Sequence, residues 1–314
     1  RFIVRKTDIK MTTEQNNQVA KRKPVDVLKS VLKAPSVQEQ FDNALGNNSS
    51  AFVASIIDLY NTDHSLQQCN PNQVVMEALK AAVLKLPINK ALGYAYVLSF
   101  NNSVKTSSTD PKTGREVTKW NKVPTPTFIM GYKGLIQLAM RTGQYRYINA
   151  DVVYEGEIAG KDKLTGAIDF NGEKRSDKII GYFAHIELMN GFRKTLYSSV
   201  EEIAKHAKMY SPTLKYSKDV TVEYLIKLAG KDPSGIGWKG DFNSMAIKTV
   251  LRELLSKYGY LSIEMQTAIV QDVETDVRSE RDNAIEDVVA EEVSMEQAFD
   301  EQEAQEQEEE QPPY

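Results

Sequence analysis

The sequence predicts an α+β fold: a helical N-terminal lobe, then an antiparallel sheet with a long β-hairpin packed with helices, then a disordered acidic C-terminal tail. Three observations predict it. Apolar residues recur at helical spacing through the first 90 residues, as at Val27, Leu28, Val31 and Leu32. The pattern then shifts to aromatic and β-branched runs over 92–100 and 117–129, separated by the turn Asp110-Pro-Lys-Thr-Gly114. Charge divides the chain as well. Residues 271–314 carry 17 Asp/Glu against Arg278 and Arg281, a net of −15, so the remaining residues stand at +11 although the whole is at −4.

The elements follow in order. Residues 25–45 read as helix, with Pro35 starting a second piece, and Ser49 or Ser50 is placed to cap a helix through Tyr60. Asn70-Pro71 is a strong helix start, an N-cap followed by proline in the first turn. That helix carries Val74, Val75, Leu79, Val83 and Leu84 and ends before Pro87. After the hairpin, Gly131 to Thr142 reads as a helix stopped by Gly143. Strands are expected over Tyr147–Tyr154, Ile179–Leu188 and Arg193–Tyr197, the last two joined by the hairpin signal Asn190-Gly191. Ser199-Val-Glu-Glu202 is a capping box for a helix reaching about Met209. Asp219–Leu228 is read as another helix. Asp241 then caps the last strong one, striped by Ile247, Val250, Leu251, Leu254, Leu255 and Tyr258 and ended by Gly259.

The domain reading is a flexible leader over 1–24, a core over 25–262, and an acidic linker and partner-binding tail over 263–314. Met11-Thr-Thr-Glu reads as a natural start, which makes 1–10 an added leader. Cys69 is the only cysteine, so no intrachain disulfide is possible, which fits a reducing cytosol. Apolar runs such as 51–59 and 81–86 are too short to span a membrane.

The chemistry lies in two basic stretches. Residues 85–150 hold ten Lys/Arg against Asp110 and Glu116, interleaved with Tyr94, Tyr96, Phe100, Trp120, Phe128, Tyr132, Tyr145 and Tyr147. Cations neutralise phosphates and rings stack on any base, which suits single-stranded nucleic acid. The same rings also read as sheet core. Residues 203–257 hold a further ten Lys/Arg against five acids. Lys205 and Lys208 are three apart on one helix, and Lys248 and Arg252 four apart on another, so each pair shares a helical face. The expected groove has Lys105, Lys119, Lys122, Lys133 and Arg141 on one side and Lys205, Lys208, Lys215, Lys248 and Arg252 on the other.

Other motifs point away from catalysis. Gly235-Ile-Gly-Trp-Lys-Gly240 matches a dinucleotide fingerprint literally, but Lys231-Asp-Pro-Ser234 precedes it where a buried strand belongs. It is read instead as a flexible loop presenting Trp238 and Lys239. There is no P-loop pattern, so no ATP use is expected. His64, His185 and His206 do not pair with Cys69 at metal spacing. Asp151, Glu155 and Glu157 are the only near group of acids for a two-metal nuclease. No cofactor and no metal are expected.

The segment from Phe128 to Tyr145, Phe-Ile-Met-Gly-Tyr-Lys-Gly-Leu-Ile-Gln-Leu-Ala-Met-Arg-Thr-Gly-Gln-Tyr, closely resembles the signature of the RecT family of phage single-strand annealing recombinases. Asp241-Phe-Asn-Ser-Met-Ala-Ile-Lys-Thr-Val-Leu-Arg252 resembles the family's second signature. Order and spacing hold over about 25–262, in the form carried by a Gram-positive, Listeria-type prophage. The resemblance implies a protein of the bacterial cytoplasm that binds single-stranded DNA. It further implies annealing of complementary strands without ATP and assembly into rings or helical filaments. Implied partners are a phage 5′→3′ exonuclease and the host single-strand binding protein, met through the acidic tail. Tyr132, Lys133, Arg141, Tyr145, Lys248 and Arg252 are the residues to which the resemblance carries DNA-binding roles. Two other classes stay open: a passive single-strand coating protein and a metal-dependent phage nuclease. Phe52, Ile56, Ile57 and Leu59 are candidate subunit contacts, with ordinary core packing as the other reading.

Overall fold

The computed structural model describes residues 23–109, 116–215 and 217–277. The leader, the hairpin turn at Asp110–Gly114 and the tail beyond 277 lie outside the described residues. The fold is α+β, as the sequence pattern predicts, and no helix among the described residues is long and apolar enough to cross a membrane.

The first lobe is built from α1 (Pro24–Lys33), α2 (Pro35–Leu45), α3 (Ser49–Thr62) and α4 (Pro71–Val83). Three of these begin on proline, whose missing N–H costs nothing in a first turn. The Asn70 side chain accepts from the Asn72 N–H at 2.9 Å and caps α4. A short 3₁₀ turn over Gly46–Asn48 leads into α3, so Asn48 takes the cap position without a side-chain bond. Ser49, expected as a cap, instead donates its hydroxyl to Asp42. Ile56 and Leu59 are buried with Leu28, Phe41, Tyr60 and Val74, and Phe52 and Ile57 pack against them. These apolar residues of α3 are therefore core, not an open subunit face.

The hairpin pairs β1 (Ala95–Thr109) with β2 (Glu116–Met130) from Ala95↔Met130 out to Thr109↔Glu116. Its base is buried through Ala95, Val97, Phe128 and Met130, while Asn101, Asn102, Asn121 and Lys122 are exposed. Pro124 and Pro126 are tolerated because a ribbon of two strands leaves outward N–H sites unpaired. At the base, the Phe128 N–H donates to Glu77 on α4 at 2.7 Å.

Helix α5 (Tyr132–Arg141) follows at once. A Cβ on Gly131 would fall 2.1 Å from the Gly93 carbonyl, and one on Gly134 2.3 Å from the Tyr94 carbonyl. The glycines of the first signature thus let the helix lie directly on the start of the hairpin. Gly143, at φ +66°, ends the helix in the left-handed region.

The second sheet has the order β3 (Tyr145–Tyr154), β6 (Ile179–Leu188), β7 (Arg193–Ser199), all antiparallel. Between β3 and β6 a small ribbon forms from β4 (Gly160–Lys161) and β5 (Ile168–Asp169), which periodicity did not show. At the β6–β7 turn only Gly191 has positive φ, and its N–H donates to the Leu188 carbonyl. Asn190-Gly191 therefore makes the hairpin through a longer loop than a two-residue mirror turn, which needs positive φ at both positions.

Ser199 and Glu202 form the expected capping box on α6 (Val200–Tyr210). Two short helices follow, α7 (Pro212–Lys215) and α8 (Val222–Ile226). Thr221, not Asp219, caps α8, so the predicted helix over Asp219–Leu228 shrinks to one turn and a half. Asp241 accepts from the Ser244 N–H at 2.9 Å and opens α9 (Phe242–Tyr258), which packs on β6 and β7 and against α5. The chain then forms α10 (Ile263–Val277), with Met265 and Ala268 fully buried. The folded body therefore runs past residue 262, seated by Met265 and Ala268 with the partly buried Ile269 beside them.

Candidate nucleic-acid interface

The two signature helices meet. α5 packs against α9. Burial raises the Tyr96 and Tyr132 hydroxyls, and the Asp241 charge adds to it in both. The Tyr182 hydroxyl, pushed well above the ordinary range chiefly by burial, donates to Asn243 at 2.7 Å. Tyr132 is half-buried, and Lys133, next along α5, is exposed.

A narrow cleft of about 20 Å³ lies between α6 and α9. It is lined by His206, Ala207, Tyr210 and Ser211, by Met245, Lys248, Thr249 and Arg252, and by Trp238. His206 and Tyr210, four apart, share a helical face and hold their rings 4.7 Å apart. The sequence marks Lys248, Arg252 and Trp238, and on α6 it marks Lys205 and Lys208 in place of His206 and Tyr210. The signal was the His-x-x-x-Tyr spacing, obscured by the more conspicuous lysines beside it.

The expected residues are placed differently from one another. Lys248 is only 6% exposed, so the picture of an open cationic face on α9 is corrected. It lines the cleft between α6 and α9. Arg252, one turn further, is half-buried on the same wall. Trp238 is not presented by a flexible loop. Ser234 and Gly235 both donate to the Gly240 carbonyl, and the closed loop turns the indole down onto Phe242, with ring centroids 5.5 Å apart. Lys239 on that loop is exposed.

Several predicted cations are engaged in structural work. Lys208 donates to the carbonyls of Leu214 at 2.8 Å and Ser217 at 2.6 Å, pinning α7 to α6. Arg141 donates to the carbonyls of Leu84 at 2.7 Å and Lys85 at 2.9 Å and holds Lys85 at φ +53°. Tyr145 donates to the Tyr260 carbonyl, and burial pushes its hydroxyl up to about 12. Lys205 is exposed and paired with Glu201. Lys122 and Lys215 are exposed. The side chains of Lys105 and Lys119 lie outside the described residues. The expected single groove walled by both sets of lysines thus resolves into one cleft holding Trp238, Lys248 and Arg252, with Lys122 out on the hairpin and Arg141 committed to the α4–α5 junction.

The acids weighed for a metal site have other partners: Glu157 accepts from the Tyr154 N–H and Glu155 from the Ser176 hydroxyl. Among the described residues no group of three or more His, Cys, Asp or Glu is placed to hold a metal ion.

Comparison with known proteins agrees with the two signatures. A model of the RecT family matches residues 50–288. Over 288 residues the chain is 39% identical to the uncharacterized protein YqaK of Bacillus subtilis (strain 168), covering 87% of this chain and 86% of the relative. Over 278 residues it is 28% identical to Protein RecT of Escherichia coli (strain K12), covering 86% and 88%. The match starts inside α3 and runs beyond α10, so it takes in both signature helices, the hairpin and the cleft. The chain belongs to the RecT family of DNA recombination and annealing proteins.

Proposed function

We propose that this protein binds single-stranded DNA along the α6–α9 cleft and anneals it to a complementary strand without ATP and without cleaving it. The observation that carries the reading is the meeting of Lys248, Arg252, Trp238 and the His206–Tyr210 ring pair in one cleft on the family's second signature helix. In this reading Arg252 meets phosphate and the exposed Tyr210 stacks on bases whatever their sequence, while the buried Lys248 adds charge to the wall. Annealing asks no more of the protein, because pairing itself reads sequence. The protein must hold the backbone, leave base edges open and lower the repulsion between two polyanions. Lys122, Lys133, Lys215 and Lys239 are exposed and add positive charge to the surface.

In this reading the protein works as an oligomer, since successive copies on one strand meet in register. The acidic tail is the arm for the exonuclease and the host single-strand binding protein, with Val288, Val289, Val293, Met295 and Phe299 as its apolar anchors.

The test is a fluorescence annealing assay with complementary oligonucleotides, without nucleotide triphosphate. Acceleration over the protein-free rate supports the reading. Binding without acceleration makes the protein a passive coat. Shortening of a labelled strand on addition of magnesium makes it a nuclease.

A further inference from the structure

The middle strand of the second sheet carries one carboxylate that holds two arginines. Register sets Tyr147 of β3 opposite Glu187 of β6, and Glu187 opposite Arg193 of β7, so the three side chains share one row and one face. Ile186, the preceding residue on β6, is fully buried, while Tyr147 and Arg193 are exposed, so this face is the one turned away from the core. The register shifts between Tyr145 and Tyr147, and the irregularity falls on Arg146. Such a bulge re-aims a side chain, and Arg146 reaches the same carboxylate.

Glu187 is only 6% exposed. Its Oε1 accepts from Arg146 at 3.2 Å and from Arg193 at 3.5 Å, and its Oε2 pairs with the Arg193 Nε at 3.0 Å. The two guanidiniums thus meet at one oxygen, close enough for a single phosphate to touch both. Both arginine side chains stay more than half exposed. The row carries two positive charges against one negative, and the next row, Asn149, His185 and Thr195, adds no carboxylate. A guanidinium has five N–H donors, so each arginine keeps donors for a second anion. Arg146 also lies 5.6 Å from the centre of the exposed Tyr147 ring. Paired forks beside an open ring match the repeating unit of a single strand, a phosphate next to a flat base. An acidic peptide would use the forks and leave the ring idle.

We propose that Arg146 and Arg193 clasp one phosphate of single-stranded DNA, with the adjoining base on Tyr147, and that Glu187 is the positioning residue that sets the two forks. The proposal rests on the reading of this protein as a single-strand binder and adds a contact that shares no residue with the cleft. A loose arginine loses rotamer freedom when it grips a phosphate. Glu187 has restrained both in advance, so less is lost on binding.

The test measures binding of the full chain to labelled oligothymidine by anisotropy at several salt concentrations, with melting curves to check folding. Arg193→Gln should weaken binding about tenfold and lower the log–log salt slope by roughly 0.7. Tyr147→Ala should weaken it about fivefold or more with the slope unchanged. Glu187→Gln separates pre-set forks from simple charge. It removes a negative charge, so charge alone would tighten binding. Loss of the restraint should instead weaken binding about threefold or more. Should Glu187→Gln fail to fold, Arg193→Gln still decides, because it leaves the Arg146–Glu187 pair in place. Unchanged affinity and slope in Arg193→Gln overturns the proposal and leaves the cleft reading standing, as does tighter binding by a folded Glu187→Gln. A peptide of residues 278–314 that binds the parent and not Arg193→Gln, with strand binding unchanged, gives the forks to an acidic chain and overturns the proposal too. A parent that binds no single strand at any salt sinks the single-strand reading and this proposal together.

Discussion

The Tyr145 hydroxyl donates to the backbone carbonyl of Tyr260 at 2.9 Å, closing the last residue of the first signature onto the segment that leaves α9. Residues 115 positions apart are thereby fixed at one end of the sheet. Tyr145→Phe should keep the ring and lose the bond, lowering stability by about 0.5–1.5 kcal/mol in urea titrations. Burial pushes this phenol up to about 12, above its ordinary value of 10.0. Its share of stability is therefore complete below about pH 10 and drains as pH rises through about 12. The Phe variant should lose less stability over that interval than the parent. Equal alkaline losses would show that Tyr145 does not titrate with unfolding.

Gly134→Ala should be among the most damaging single-methyl changes in the chain. The new carbon would lie 2.3 Å from the Tyr94 carbonyl and 3.0 Å from the Met130 side chain, so α5 must move off the hairpin base. Overpacking of this kind costs about 1–3 kcal/mol. The intrinsic helix gain from Gly to Ala, about 1 kcal/mol, acts in the other direction and is outweighed. Thermal melting of the two proteins checks the sign. A more stable Ala variant would mean that α5 shifts freely on β1.

Asp63 gives the fold an acid-sensitive joint. Burial alone would raise its carboxyl, but hydrogen bonds from Lys90 at 2.5 Å and from Ser65, with the Lys90 charge, bring it down to about 2. A depressed carboxylate contributes stability above its unfolded value near 3.8 and loses it as pH falls toward 2. Asp63→Asn should be less stable than the parent at neutral pH and should converge with it near pH 2. Denaturant midpoints across that range make the comparison.

Arg252 and Arg141, both expected to touch DNA, should separate. Arg252 lines the cleft, so Arg252→Ala should weaken single-strand binding for every sequence alike and reduce the log–log salt slope by roughly 0.7. Arg141 is spent on two carbonyls of the α4–β1 connection, so Arg141→Ala should lower the melting temperature with little change in the salt slope. Anisotropy titrations at several salt concentrations, paired with melting curves, read both effects. The opposite pattern would move the interface from α9 to α5.

Much of this was legible in the chain. Caps at Asn70, Ser199 and Asp241 are local, since each side chain needs only N–H groups two or three residues ahead, and all three hold. The long hairpin and the stripe of α9 declare themselves by period. What could not be read is set by distant neighbours. Lys248 is a cation by composition, yet the fold leaves it only 6% exposed. Trp238 turns inward because glycines at 235 and 240 let the loop shut on itself, an outcome no spacing rule supplies. The Arg146–Glu187–Arg193 bridge joins three strands through register, which periodicity leaves undetermined. Thus local chemistry located the elements, and long-range packing decided which of the basic residues stay exposed.

The acidic tail should act on the cleft through charge alone. Removing residues 278–314 takes away a net of −12 and leaves the rest of the chain at +8. The cut falls after α10, whose buried Met265 and Ala268 belong to the core, so the truncated protein keeps its folded body. A tethered polyanion competes with a strand for the same cations, so truncation should tighten single-strand binding at low salt. The gain should shrink as salt rises, because exposed charges more than about 8 Å apart are largely screened at physiological ionic strength. Binding measured at two salt concentrations on both proteins tests this directly. Weaker binding after truncation would mean that the tail supports the interface and does not compete for it.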